Sequence, residues 1–315
     1  MEIAPGVFST TVRVWETLKA SYEGDLQKLK ELVAGQRELI YAQYNYTPPI
    51  HFAVREGHAE MVKYLLSEGA LNPAYRNAAF RDSLITVAAD REYMEISALL
   101  EEYNKSPERC KHKGHYSGIA FNLTPLQQEF ERAVDKEDIA HVAKMLSSNP
   151  EVIEYPHYFW GEGILAMPAK EVDTDLVSLL MEYGAKVPPI SKWGRFYYFE
   201  KDAGAALLLE KGMHPNHMTW HHVTLLHDMA QSGALYKAGL LIKYGAELNL
   251  IEEEYQSTPL GMAARWGQVE MVKFLLAAGA NPILSGRHWS TPLAWALKKG
   301  HSEIAEHLRN AGATI

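Results

Sequence analysis

Self-similarity at a period of 33 or 34 residues constrains this 315-residue chain more than any other feature it has. Thr258-Pro259-Leu260-Gly261-Met262-Ala263-Ala264 leads to Gly267, then to Glu270-Met271-Val272, Leu275-Leu276 and Gly279-Ala280-Asn281-Pro282. One period later, Thr291-Pro292-Leu293-Ala294-Trp295-Ala296 leads to Gly300-His301-Ser302-Glu303-Ile304 and Gly312-Ala313. Near the N-terminus, Pro49-Ile50-His51-Phe52-Ala53 leads to Gly57-His58, Leu65-Leu66 and Gly69-Ala70. Sliding this template along the chain places unit starts at residues 15, 48, 82, 128, 162, 191, 224, 258 and 291, and six of the eight intervals are 33 or 34 residues long. A unit this short cannot bury an apolar face alone, so neighbours must stack to make a core.

The local signals within each unit describe two short helices. Thr258 and Thr291 suit a helix N-cap, and Pro259 and Pro292 suit the first helical position, where no donor is missed. The second helix carries apolar residues at i, i+3 and i+4: Val62, Leu65 and Leu66, then Val272, Leu275 and Leu276. Gly69, Gly184, Gly212, Gly245, Gly279 and Gly312 stand where a left-handed cap would end that helix. This pattern resembles the ankyrin repeat, with its T-P-L-H-x-A signature. The resemblance implies an all-α repeat solenoid of about nine units, irregular in the middle. An N-terminal arm would occupy 1–14 and the array 15–315. A 46-residue interval implies an insertion within 104–127, and a 29-residue interval implies a trimmed loop around Val187-Pro188-Pro189.

The resemblance also implies where a ligand would meet the array: on the hairpin fingers before each T-P-L-H start, and on the exposed end of each first helix. The candidate binding residues on that face are Trp160, Tyr198, Trp220, His221, His222, Asp228, Glu254, Tyr255, Arg265, Trp266, His288 and Trp289. Six of the seven tryptophans lie from the fifth repeat onward, where simple solenoid packing would use Ala, Leu or Val. Rings beside Glu254, Asp228 and Arg265 suit stacking with directed hydrogen bonds, and Trp and Arg are preferred interface anchors. Two readings follow. The first is a non-enzymatic module that binds a protein or extended peptide in an aromatic-rich concave groove of repeats five to nine. The second is a site for a small polar, sugar-like ligand, catalytic or only binding, in the same groove.

His214, His217, His221, His222 and His227 crowd into one stretch, yet His227 and His51 occupy the signature position whose usual work is hydrogen bonding between repeats. The other four have no cysteine nearby, and the expectation is that no metal is bound. Cys110-Lys111-His112-Lys113 reads as a solvated loop, and Glu252-Glu253-Glu254 as a charged finger tip with Glu254 nearest the groove. No phosphate-cradling glycine loop, nucleophile elbow or His-Glu-x-x-His occurs. No cofactor is expected, although a general acid/base pair needs only proximity and tuned acidity.

Composition narrows the partners. With 31 basic against 39 acidic residues the net charge is −8, which lacks the basic surface that phosphate backbones demand. Nucleic acid is therefore not an expected partner. One cysteine precludes an intrachain disulfide, and no stretch has the length and apolarity of a membrane span. The start Met1-Glu2-Ile3-Ala4-Pro5-Gly6 lacks a signal-peptide pattern, so a cytoplasmic location is expected.

Overall fold

The structure is a computed structural model that describes residues 1–4, 6–106, 123–219 and 221–314. The chain divides into two compact units, Met1–Ala120 and Phe121–Ile315. Most of the inserted stretch 104–127, including Cys110, lies outside the described residues, as does Trp220.

The first unit opens on an antiparallel ribbon of β1 (Glu2–Ala4) and β2 (Val7–Phe8). Three helix pairs follow: α1 (Thr11–Glu23) with α2 (Leu26–Gly35), α3 (Pro49–Arg55) with α4 (Ala59–Ser67), and α5 (Leu84–Asp90) with α6 (Met94–Asn104). The first helices pack in series, α1 on α3 and α3 on α5, and α4 packs on α6 behind them.

The second unit continues the pattern. Its helices are α7 (Pro125–Asp135), α8 (Ile139–Ser148), a four-residue turn α9 (Tyr158–Gly161), α10 (Ala166–Glu171) and α11 (Thr174–Glu182), then α12 (Gly194–Tyr198) and α13 (Asp202–Glu210). After them come α14 (Leu225–Ser232), α15 (Leu235–Lys243), α16 (Pro259–Arg265), α17 (Val269–Ala277), α18 (Pro292–Lys299) and α19 (Ser302–Asn310). One layer runs α10, α12, α14, α16, α18, each helix on the next; a second runs α13, α15, α17, α19.

The caps explain why the helices start and stop here. The side chains of Thr224, Thr258 and Thr291 accept from the backbone N–H of His227, Gly261 and Ala294, and the two prolines stand directly behind their threonines. The six glycines expected to end the second helices all have positive φ, between 76° and 98°. His227 joins repeats as its signature position implies: one ring nitrogen lies 2.8 Å from Thr224 Oγ1, and the other lies 3.1 and 3.2 Å from the Leu250 and Ser257 carbonyls. His58 and His301 reach back to the carbonyls of Tyr22 and Arg265.

Two helices begin before the aligned starts. The first repeat's helix is capped by Thr10 and not near residue 15. The fourth is capped by Thr124 and not near 128: Thr124-Pro125-Leu126-Gln127 is itself a signature, closed by a reciprocal capping box between Thr124 and Gln127. Among the described residues, no helix is long and apolar enough to cross a membrane.

Candidate functional site

The eleven candidate residues that the structure describes, all but Trp220, separate into two regions of the second unit, and their environments differ sharply. Around repeats seven to nine the side chains are largely committed to one another. The Arg265 guanidinium lies 4.0 Å from the Tyr255 ring centre and 3.9 Å from that of Trp266, a double cation–π contact. Tyr255 also meets Trp295 edge-on at 5.7 Å, and Trp295 meets Trp289 at 5.9 Å. Trp266 is half-buried; Tyr255, Arg265 and Trp289 are buried. Tyr255, Arg265 and Trp289 thus spend much of their surface on one another, because clustered aromatic rings gain more from mutual burial than from standing in water, while Trp266 keeps part of its ring in solvent.

The charged finger tip needs correction. Glu252 and Glu254 are fully buried, not solvated. The Glu252 carboxylate accepts from the backbone N–H groups of Glu254, Tyr255 and Ser257, at 2.6, 2.9 and 3.1 Å, and so pins the loop that carries Tyr255. Burial, reinforced by the negative charge of Glu254, pushes the Glu252 carboxyl up to about 8 despite these donors. His221, buried, sits 3.2 Å from Glu254, while His222, exposed, pairs with Glu253 at 2.8 Å. His214 accepts from the Asn216 N–H. Thus the histidine-rich finger sends its rings to different partners. His288 is exposed at the last finger.

Sequence reasoning missed two residues here. Trp295 was legible as a tryptophan but not as the hub that its place on α18 makes it. Glu252 read as one of three like charges; its spacing to Ser257 was the available signal for a loop staple.

Repeat six lacks the signature histidine: Ser191-Lys192-Trp193-Gly194 puts glycine in its place. The structure fills the gap from the next repeat. His217 brings Nε2 to 2.7 Å from Ser191 Oγ and is also held by the Pro188 carbonyl, with both side chains buried. A Cβ on Gly194 would stand 2.6 Å from Ser191 Oγ and 2.8 Å from His217 Nε2. Burial holds the His217 ring down at about 4, so it stays neutral at ordinary pH. Gly194→His should therefore lose about 1–3 kcal/mol of stability by overpacking, and His217→Ala in the same chain should restore most of it. Denaturant titration of the two single variants and the double variant checks this; additive losses would refute the exchange of one histidine for the other.

Around repeats five and six, by contrast, apolar side chains face solvent. Trp160 is 68% exposed, and Ile190, Trp193 and Phe196 are exposed as well. Trp160 tips a finger whose backbone is left-handed at two successive residues, Phe159 (φ 47°) and Trp160 (φ 60°). Phe159 is buried and its N–H donates to Glu131 at 2.6 Å, which holds the turn. The Glu162 carboxylate accepts from the Lys192 and Trp193 N–H groups, and the Lys192 ammonium donates to the Trp160 carbonyl at 3.2 Å, linking this finger to the next. Tyr198 is buried, its hydroxyl donating to the Glu162 carbonyl.

Asp228, on α14, is 8% exposed, and among the described residues its carboxylate has neither hydrogen bond nor ion pair. Burial pushes it up to about 7, opposed by the positive charge of Arg195. An unpaired carboxylate in such a place is costly and is a candidate receptor for a cation.

Comparison with known proteins decides the family. A model of ankyrin repeats in three copies matches residues 130–285 and 226–315, and a single-repeat model matches 45–78. The chain belongs to the ankyrin-repeat family. It is similar to the Caenorhabditis elegans ankyrin repeat and KH domain-containing protein mask-1, with 27% identity over 74% of this chain and 10% of that protein. It is also similar to the Neurospora crassa ankyrin repeat protein nuc-2, with 26% identity over 87% of this chain and 22% of that one. An 89-residue stretch is 27% identical to the mitochondrial liver isoform of mouse glutaminase, covering 28% of this chain and 15% of that protein. The chain thus spans at most about a quarter of the length of these relatives. Ankyrin repeats generally mediate protein–protein interaction.

Proposed function

We propose that the second unit is a recognition module that docks a partner protein, or an extended peptide of it, on the fingers and first helices of repeats five to nine. The observation that carries this reading is Trp160. A large apolar ring stands 68% exposed at a finger tip whose backbone is left-handed at that residue and the one before it. Each such non-glycine residue costs on the order of 1 kcal/mol, and exposure returns none of it. A partner that buries the ring would supply the gain. Phe196, with the Lys170 ammonium 4.3 Å from its ring centre, and the half-buried Trp266 extend the surface. Asp228 would receive a cationic side chain of the partner, in keeping with the acidic balance of the chain. Among the candidate binding residues, the buried Trp289 and Tyr198 would serve as supports beneath this surface.

Trp160→Gly separates binding from folding. Glycine adopts the left-handed backbone freely, so stability should hold or rise by up to about 1 kcal/mol. Affinity for a partner recovered from native lysate should fall about 30-fold or more, as for an interface hot spot. Calorimetry with the isolated partner reads the affinity, and equal binding by both proteins would end the proposal.

A further inference from the structure

The second unit holds a half-open cleft of about 950 Å³ that the docking face does not use. Its lining comes mostly from the loops after second helices in repeats four to six, with Gly163 and Ile164 ahead of α10 and Met181 on α11. Ile153, Ile164, Met181, Val187 and Met213 give it an apolar floor, and Pro156, Pro188 and Pro189 give it walls. The trimmed interval between repeats five and six builds it: Val187-Pro188-Pro189 runs directly into Ile190, which bridges to Met218 at the cleft's far side. Lys186 and Lys211 stand exposed among the lining residues, and among the described residues neither ammonium has a hydrogen bond or ion pair.

The polar groups of the cleft select the kind of ligand. Three prolines offer no N–H. Asn216 is taken up in a two-way exchange with Glu247, at 2.9 and 2.8 Å, and His217 by Ser191 and Pro188. A peptide backbone laid here would lose water without regaining partners, which is costly. An alkyl chain has no such need, and methionine floors adapt to flexible apolar shapes. The free charges at the cleft are the two lysines against one carboxylate, Glu154, with His214 beside them.

We propose that this cleft binds a small amphipathic anion, an alkyl chain seated on the Met/Ile/Val floor with its carboxylate, or a like acidic head, between Lys186 and Lys211. The site is independent of the docking face, so either can fail without the other.

The test uses the full chain and three probes of equal chain length: dodecanoate, dodecanol and dodecyltrimethylammonium, each below its micelle concentration. Calorimetry should show saturable binding of dodecanoate, weaker binding of dodecanol by about tenfold or more, and none of the cationic probe. In Lys186→Glu/Lys211→Glu the order should reverse, with dodecanoate lost and dodecyltrimethylammonium bound. Both positions are exposed, so circular dichroism should match the wild type. Pro189→Trp, which narrows the cleft without changing its charge, should weaken all three probes together. Non-saturable uptake, equal affinity for the three heads, or binding unchanged by charge reversal would overturn the proposal.

Discussion

Trp295→Ala is expected to cost about 3–5 kcal/mol, the range for deleting a large aromatic ring from a packed core. Trp295 is fully buried on α18 and is shared by two repeats. Its ring meets Tyr255 and Trp289 edge-on, and the Arg265 guanidinium lies 5.4 Å from its centre. Its Nε1–H donates to Ser257 Oγ at 2.9 Å, and that hydroxyl in turn donates to the Ser290 carbonyl. Truncation leaves a cavity too large for the neighbours to close and removes the donor on which Ser257 depends. Because repeats stabilise one another mainly through nearest neighbours, the loss should be local. Hydrogen exchange should accelerate most in α16 and α18 and least in α7 and α8. Trp295→Phe, which keeps a ring but not the N–H, should recover more than half of the loss. A cost below about 1 kcal/mol for the alanine variant would show that Trp295 is not the hub of this cluster.

Stability is expected to fall by a few kcal/mol as pH rises from about 6.5 to 8. Burial raises Asp228 from 3.8 to about 7 and Glu252 from 4.5 to about 8. In each case the folded chain keeps a proton that the unfolded chain has already released. Stability from these groups is full at acid pH and is lost as pH climbs toward the folded values. His217 and His227 act oppositely, since burial lowers both from 6.5 to about 4. The unfolded chain takes up protons below 6.5 that the folded chain refuses, so stability is lost as pH falls through that range. Between about 4.5 and 6.5 the two pairs oppose each other and the profile should be nearly level. As pH climbs past 6.5 the unfolded histidines lose their protons too, their opposing contribution fades, and the two carboxyls dominate the slope. Thermal unfolding across pH 5 to 9 measures the curve. Asp228→Asn should be more stabilising at pH 8 than at pH 5, and Glu252→Gln should move the same way unless it loosens the loop it pins. A wild-type curve that is level or rising from 6.5 to 8 would contradict this account.

The repeat array was legible because its signals are local. A threonine three residues ahead of the N–H it caps, a proline at the first helical turn and a glycine at the left-handed position act within a few bonds of themselves. The signature at Thr124-Pro125-Leu126 was passed over because the fifth and sixth repeats, on its far side, depart most from the template. Repeat six departs at its helix start, where Gly194 stands in the signature slot and the space a side chain would need is taken by Ser191 and His217.

The residues of the second unit's face were harder to sort, and for a physical reason. A finger tryptophan looks the same in sequence whether it stands in water, as Trp160 does, or turns under its neighbour, as Trp289 does. Its fate depends on what the adjacent repeat places beside it. By itself the sequence determined the family, most of the helix pairs and caps and the inter-repeat work of His227, since each follows from a spacing within or between units, whereas the reach of His58 and His301 to the preceding repeat came from the structure. Only the tertiary structure decided that Glu252 and Glu254 are buried, that among the described residues the buried Asp228 carboxylate has no hydrogen bond or ion pair, and that His217 meets Ser191 beside Gly194. Burial and pairing are properties of side chains brought together from different repeats, and no spacing along the chain records them.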